Sequence, residues 1–215
     1  GVAVDGNDNL YVADRLTGAV FVYDRDGTFL RRIGVKVLQE PTSIAIDRRA
    51  QLLYVANGAT SNKYDHRIEV FALAGQHLRT IGKWGDGPGE FNFPSALAVA
   101  PDGTLYVSDM LNFRVQQFDS SGQLLGTFGQ LGTGGVGAFD KIKGVGFDSF
   151  GDVYVVDSMQ GVQVLNPDRQ PLLMLGQPPF MNVPGPMVID SKNRIFVADF
   201  GLNGVHEFQL VNTTA

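Results

Sequence analysis

Five times along the chain, an apolar stretch runs through an aromatic residue and a valine and closes on Asp or Asn. The copies are Leu10-Tyr11-Val12-Ala13-Asp14, Leu53-Tyr54-Val55-Ala56-Asn57, Leu105-Tyr106-Val107-Ser108-Asp109, Val153-Tyr154-Val155-Val156-Asp157 and Ile195-Phe196-Val197-Ala198-Asp199. Their closing residues, 14, 57, 109, 157 and 199, lie 43, 52, 48 and 42 positions apart. A repeat of that length, made of short strands with no helical period, is one blade of a radial array. The spacing therefore predicts an all-β propeller of four-stranded antiparallel blades in a single domain.

Each repeat has the same internal order. A strand of small residues comes first, as in Gly1-Val2-Ala3-Val4-Asp5, Ser43-Ile44-Ala45-Ile46-Asp47 and Gly144-Val145-Gly146-Phe147-Asp148. Small side chains suit the axis, where the strands of all blades converge. A polar hairpin turn such as Pro101-Asp102-Gly103 leads into the aromatic-Val strand. A third strand alternates apolar and polar residues, as in Arg67-Ile68-Glu69-Val70-Phe71, which marks a half-buried strand. The fourth ends on Ile33-Gly34, Ile81-Gly82, Phe128-Gly129 or Leu175-Gly176. The predicted blades cover residues 1–40, 41–92, 93–141, 142–182 and 183–215. The content of 27 Gly and 10 Pro fits a turn every few residues.

The fifth repeat offers no fourth strand, and the first opens on its innermost one. Ring closure by an upstream segment or by a partner's strand is expected, because it removes free strand edges. Gly1 stands where an initiator Met would be, which agrees with an upstream segment and with export to a periplasmic or extracellular space. No apolar run is long enough to span a bilayer. The net charge of −5 disfavours a nucleic-acid partner, whose affinity comes largely from Lys and Arg. With no cysteine there is no disulfide, thiol nucleophile or thiolate metal site.

The connections between repeats carry a family resemblance. Ile81-Gly82-Lys83-Trp84-Gly85-Asp86-Gly87-Pro88-Gly89-Glu90-Phe91-Asn92-Phe93-Pro94 resembles the linker of NHL-repeat propellers. Asn112-Phe113-Arg114-Val115-Gln116-Gln117-Phe118 and Asp65-His66-Arg67-Ile68-Glu69-Val70-Phe71 resemble that family's third strand. The linker Gln177-Pro178-Pro179-Phe180-Met181-Asn182 departs from the Gly-rich pattern. The resemblance implies six blades. Five repeats are present, so the ring is expected to be six-bladed and incomplete, with a five-bladed ring as the other reading.

The same resemblance implies three functions. The leading one is a non-enzymatic scaffold that presents loops to a protein partner and needs no cofactor. The alternatives are a metal-dependent enzyme of lactonase or amidating-lyase type, and an RNA-binding module. An enzyme needs His or carboxylates converging on the axis. His66, His77 and His206 fall at different blade levels, and the repeated Asp and Asn positions read as turn caps or partners of Arg67 and Arg114. Asp5-Gly6-Asn7-Asp8-Asn9 opens like a calcium loop but lacks its sixth-position Gly and twelfth-position Glu, so it reads as a hairpin turn. Lys and Arg are scattered, which weighs against RNA. Phe91 and Phe93 are expected to tuck between blades. Trp84, Pro179, Phe180 and Met181, with Tyr64 in the inserted loop, are the candidate partner-binding residues.

Overall fold

A computed structural model describes residues 1–58, 66–132, 135 and 137–209. They form five antiparallel blades in a ring. Blade 1 comprises β1 (Val2–Val4), β2 (Leu10–Asp14), β3 (Ala19–Tyr23) and β4 (Phe29–Ile33). Blade 2 comprises β5 (Ser43–Asp47), β6 (Leu52–Asn57), β7 (Arg67–Ala72) and β8 (His77–Ile81). Blade 3 comprises β9 (Pro94–Val99), β10 (Leu105–Asp109), β11 (Arg114–Phe118) and β12 (Leu124–Phe128). The short strands β13 (Gln130–Leu131) and β14 (Ala138–Phe139) pair in parallel within the next linker. Blade 4 comprises β15 (Ile142–Phe147), β16 (Val153–Asp157), β17 (Gly161–Leu165) and β18 (Pro171–Leu175). Blade 5 has three strands among the described residues, β19 (Pro184–Ile189), β20 (Arg194–Asp199) and β21 (Gly204–Gln209).

The inner strands lie side by side in the order β1, β5, β9, β15, β19. Their small residues let them approach: Ser43 Oγ accepts the Leu97 N–H at 3.1 Å, and Ser95 Oγ donates to the Ile142 carbonyl at 2.8 Å. The core is divided among the four seams between blades. Tyr11, Val22, Leu53 and Phe71 fill the first. Tyr54, Val70, Phe91 and Val107 fill the second. Tyr106, Phe139, Val145 and Val155 fill the third, and Tyr154, Val164, Met181 and Val197 the fourth. The aromatic of the repeat thus packs one face of its blade against the next. The outer flanks of the first and fifth blades are uncovered, leaving Val2, Val188 and Val205 62–68% exposed.

Every strand end falls on one of two rims. The linkers and the loops between second and third strands form one, called here the linker rim. The hairpin turns form the other, the turn rim. Hydrogen bonds join like ends of neighbouring blades: Arg48 Nη2 donates to the Val4 carbonyl, and the Ser149 N–H donates to Asn193 Oδ1.

One contact fixes each linker. The glycine after an outer strand has positive φ, +106° at Gly129. A Cβ there would lie 2.7 Å from the Phe139 ring. The missing side chain leaves room for the linker's apolar anchor to drop into the seam. Leu38 does the same over Gly34, Phe91 over Gly82 and Met181 over Gly176.

Candidate interaction face

The closing Asp or Asn of the repeat holds its own blade's incoming linker. Asp109 is fully buried and accepts the Asn92 N–H at 2.6 Å, Arg114 Nε at 2.8 Å, Asn112 Nδ2 at 2.9 Å and Gln116 Nε2 at 3.1 Å. Burial still pushes its carboxyl above the ordinary range, against the pull of those donors. Arg114 continues inward to the Gly87 and Glu90 carbonyls at 2.7 and 2.9 Å. Asp157 takes the Asp140 and Lys141 N–H groups, and Asn57 takes that of Gln39. The repeated acids are therefore fasteners of backbone amides, in keeping with their reading as caps. Arg67 differs from expectation. Blade 2 carries Asn57 in place of the acid, so Arg67 Nε pairs with the buried Glu69 at 2.5 Å, where His77 and Thr80 also meet that carboxylate.

Asp199 carries the largest change in acidity among these fasteners. Burial alone would raise its carboxyl, but the Val183 and Asn182 amides and His206 outweigh burial and hold it down to about 2. A carboxylate whose folded value is depressed contributes stability above its ordinary value of 3.8 and loses it as pH falls through the folded one. Melting temperatures of the wild type and Asp199→Asn should therefore converge as pH falls from about 4 to about 2. A constant gap over that window would remove this assignment.

The histidines stay apart. His66 Nδ1 accepts the Phe93 N–H at 3.1 Å, His77 sits against Glu69, and His206 sits against Asp199 at 3.1 Å. Among the described residues, no group of three or more His, Asp or Glu side chains is placed to hold a metal ion. The opening loop is a hairpin turn, with Asp5 accepting the Asn7 and Asn9 N–H groups at 2.8 and 2.9 Å.

The two rims differ in surface chemistry. Leu16, Val35, Trp84, Leu111, Leu131, Met159, Phe180 and Phe200 all lie on the linker rim and are 40–95% exposed. In the described turns of the opposite rim the exposed large apolar side chain is Phe150, with Phe29 and Leu10, 51% and 37% exposed, at the strand ends beside two other turns. Asp and Asn occupy the turns instead, because their side chains close them: Asp24, Asp47, Asp119 and Asp190 each accept backbone N–H groups two to four residues on.

The candidate residues separate on this rim. Trp84 is 40% exposed, with its backbone held where the Phe91 N–H donates to the Lys83 carbonyl and the Gly85 N–H to the Phe91 carbonyl. Pro179 is exposed in a Pro178–Pro179 cis pair. Phe180 is 61% exposed and rests against His206 and Phe208, at 5.2 and 5.9 Å between ring centres. Met181 is corrected: it is fully buried in the seam between blades 4 and 5, because it is that linker's anchor over Gly176. Tyr64 lies outside the described residues. Phe91 is fully buried as expected, and Phe93 is partly buried.

The sequence carried a signal for Met181. Leu38-Gln39-Glu40-Pro41, Phe91-Asn92-Phe93-Pro94 and Met181-Asn182-Val183-Pro184 align on an apolar residue three before proline. Alignment on the glycine hides it, because the linkers differ in length. Leu16, Leu111, Met159 and Phe200, one or two positions past the repeat's Asp, were missed, although that periodic position was readable.

The family model for the NHL repeat matches residues 91–118. Protein brain tumor of Drosophila melanogaster is 28% identical over 134 residues, which are 60% of this chain and 12% of that relative's length. Among solved structures, the nidogen/laminin complex contains a chain that superposes with a TM-score of 0.76 at 19% identity, over 98% of this chain and 75% of that one. A streptogramin B lyase superposes with a TM-score of 0.69 at 13% identity, over 98% and 68%. A virginiamycin B lyase from Staphylococcus aureus gives 0.68 at 11%, over 100% and 70%. At these identities the solved structures share the propeller fold, whether taken from a protein complex or from an enzyme. No helix among the described residues is long and apolar enough to cross a membrane.

Proposed function

We propose that this propeller, which carries an NHL repeat at residues 91–118, is a non-enzymatic scaffold that docks a protein partner on its linker rim. The observation that carries this reading is the apolar asymmetry between rims. Side chains as large as Leu16, Leu111, Met159 and Phe180 stand in solvent on one rim, at positions the blade does not need for its own core. Large apolar side chains gathered on one surface mark sites of protein contact more often than scattered single ones do. Leu16, Leu111, Met159 and Phe200, in the loops between second and third strands, repeat this placement in blades 1, 3, 4 and 5, so the ring symmetry itself spreads the contact over the rim. The nidogen/laminin complex supplies the analogy to a propeller chain within a larger assembly.

The test is quantitative capture from native extract by the wild type and by a triple variant, Leu16→Ser, Leu111→Ser, Phe180→Ser. These side chains are 61–95% exposed for Leu16 and Phe180 and 45% for Leu111, so folding should change little. The bound partner should fall at least about tenfold with the melting temperature preserved. Equal recovery by both proteins would remove the proposal.

A further inference from the structure

On the turn rim, one seam departs from the repeat and opens a cleft. In each four-stranded blade the aromatic of the second strand faces a residue of the third, which faces one of the fourth. The triplets are Tyr11–Val22–Arg31 in blade 1 and Tyr54–Val70–Arg79 in blade 2. In blade 4 the triplet is Tyr154–Val164–Leu173. The valines are fully buried, and each arginine crosses the seam to the next blade's turn: Arg31 to the Leu73 carbonyl at 2.7 Å, Arg79 to that of Ser120. Blade 3 reads Tyr106–Gln117–Gly126. The crossing arginine is gone and an amide replaces the core valine.

The space the arginine would fill is a cleft of about 570 Å³ between blades 3 and 4, within the range of small-molecule sites. Gln117 is 93% buried at its wall, being 7% exposed. Its amide makes no hydrogen bond to any described residue and is open to the cleft. Arg169 enters from blade 4, donates to the Tyr106 hydroxyl at 2.9 Å and lies 5.8 Å from the centre of that ring. Phe147 packs edge-on against Tyr106 at 4.6 Å, and Phe150 stands 69% exposed at the mouth. Asp102 also lines the cleft, where its carboxylate accepts the Thr104 N–H at 2.9 Å.

We infer that this cleft binds a neutral saccharide of one or two rings. Such a ligand has an apolar C–H face to lay on Phe150 and hydroxyls that both donate and accept. Gln117 offers a donor and an acceptor, Arg169 offers donors and Asp102 an acceptor, and a lining with one charge of each sign favours an uncharged ligand over an ion. This inference is independent of the linker rim and its partner.

Saturation-transfer NMR with maltose and with N,N′-diacetylchitobiose tests it. Transfer to ring C–H protons of one of these probes is expected, and its affinity should fall roughly tenfold in Gln117→Val. Gly126→Arg should close the cleft and abolish transfer. Both changes restore the residue that blades 1 and 2 already carry, and melting curves confirm folding. Should either variant fail to fold, the other decides alone. Absence of transfer from both probes, transfer that survives both variants, or displacement of the saccharide by adenosine or benzoate at equal concentration would each overturn the assignment.

Discussion

Asp109→Ala is expected to destabilise the protein by about 3–5 kcal/mol. The substitution removes a fully buried carboxylate that serves four donors and leaves Arg114, whose side chain is 14% exposed, without its counter-charge. It also frees the Asn92 amide that fixes the entry of the linker into blade 3. A chain of this length loses roughly 2–4 °C of melting temperature per kcal/mol, so a fall of about 10 °C is expected by calorimetry. Asp109→Asn should recover part of it, since blade 2 uses Asn57 at the same position, but the Arg114 charge stays unmatched. If Asp109→Ala melts within about 2 °C of wild type, the acid is not the fastener described here.

Phe91→Ala is expected to cost a similar amount, about 3–5 kcal/mol, for a different reason. Phe91 is fully buried between Gly82 and Phe118, with its ring 5.7 Å from that of Phe118. Its removal leaves a cavity in the seam between blades 2 and 3 that rigid strands cannot close. The loss should appear in denaturant as a lower midpoint with the slope unchanged. Because Trp84 and Gly85 hang on the Phe91 backbone, the same variant should also raise hydrogen exchange at residues 83–91. A loss of unfolding free energy below about 1 kcal/mol would show that the linker is held elsewhere.

The propeller was legible because its constraints are local and repeated. Tyr11, Tyr54, Tyr106 and Tyr154 recur at intervals of 43, 52 and 48 residues, and the Asp and Asn turn residues between them close hairpins on their own backbone. The candidate face was legible only in part. Phe180 stood out by composition, whereas Met181 beside it has the same apolar character and differs only in facing the seam. That difference is set by a missing Cβ at Gly176, a contact between positions that vary in separation from linker to linker. Leu16 and Leu111 were passed over because an exposed leucine past a turn has no mark of its own. It acquires one only when the ring brings its copies onto one rim. The cleft beside Gln117 shows the reverse case. Gln117 and Gly126 are ordinary in isolation and stand out only against the register of the other blades.

Partner retention decides whether the linker rim, and not the turn rim, is the docking face as proposed. The most direct measurement is partner retention by the Leu16→Ser, Leu111→Ser, Phe180→Ser variant set beside a turn-rim control, Phe150→Ser, at matched melting temperature. At least about a tenfold loss in the linker-rim variant and wild-type retention in the control are expected. Unchanged retention in the linker-rim variant, or a loss confined to Phe150→Ser, would contradict it.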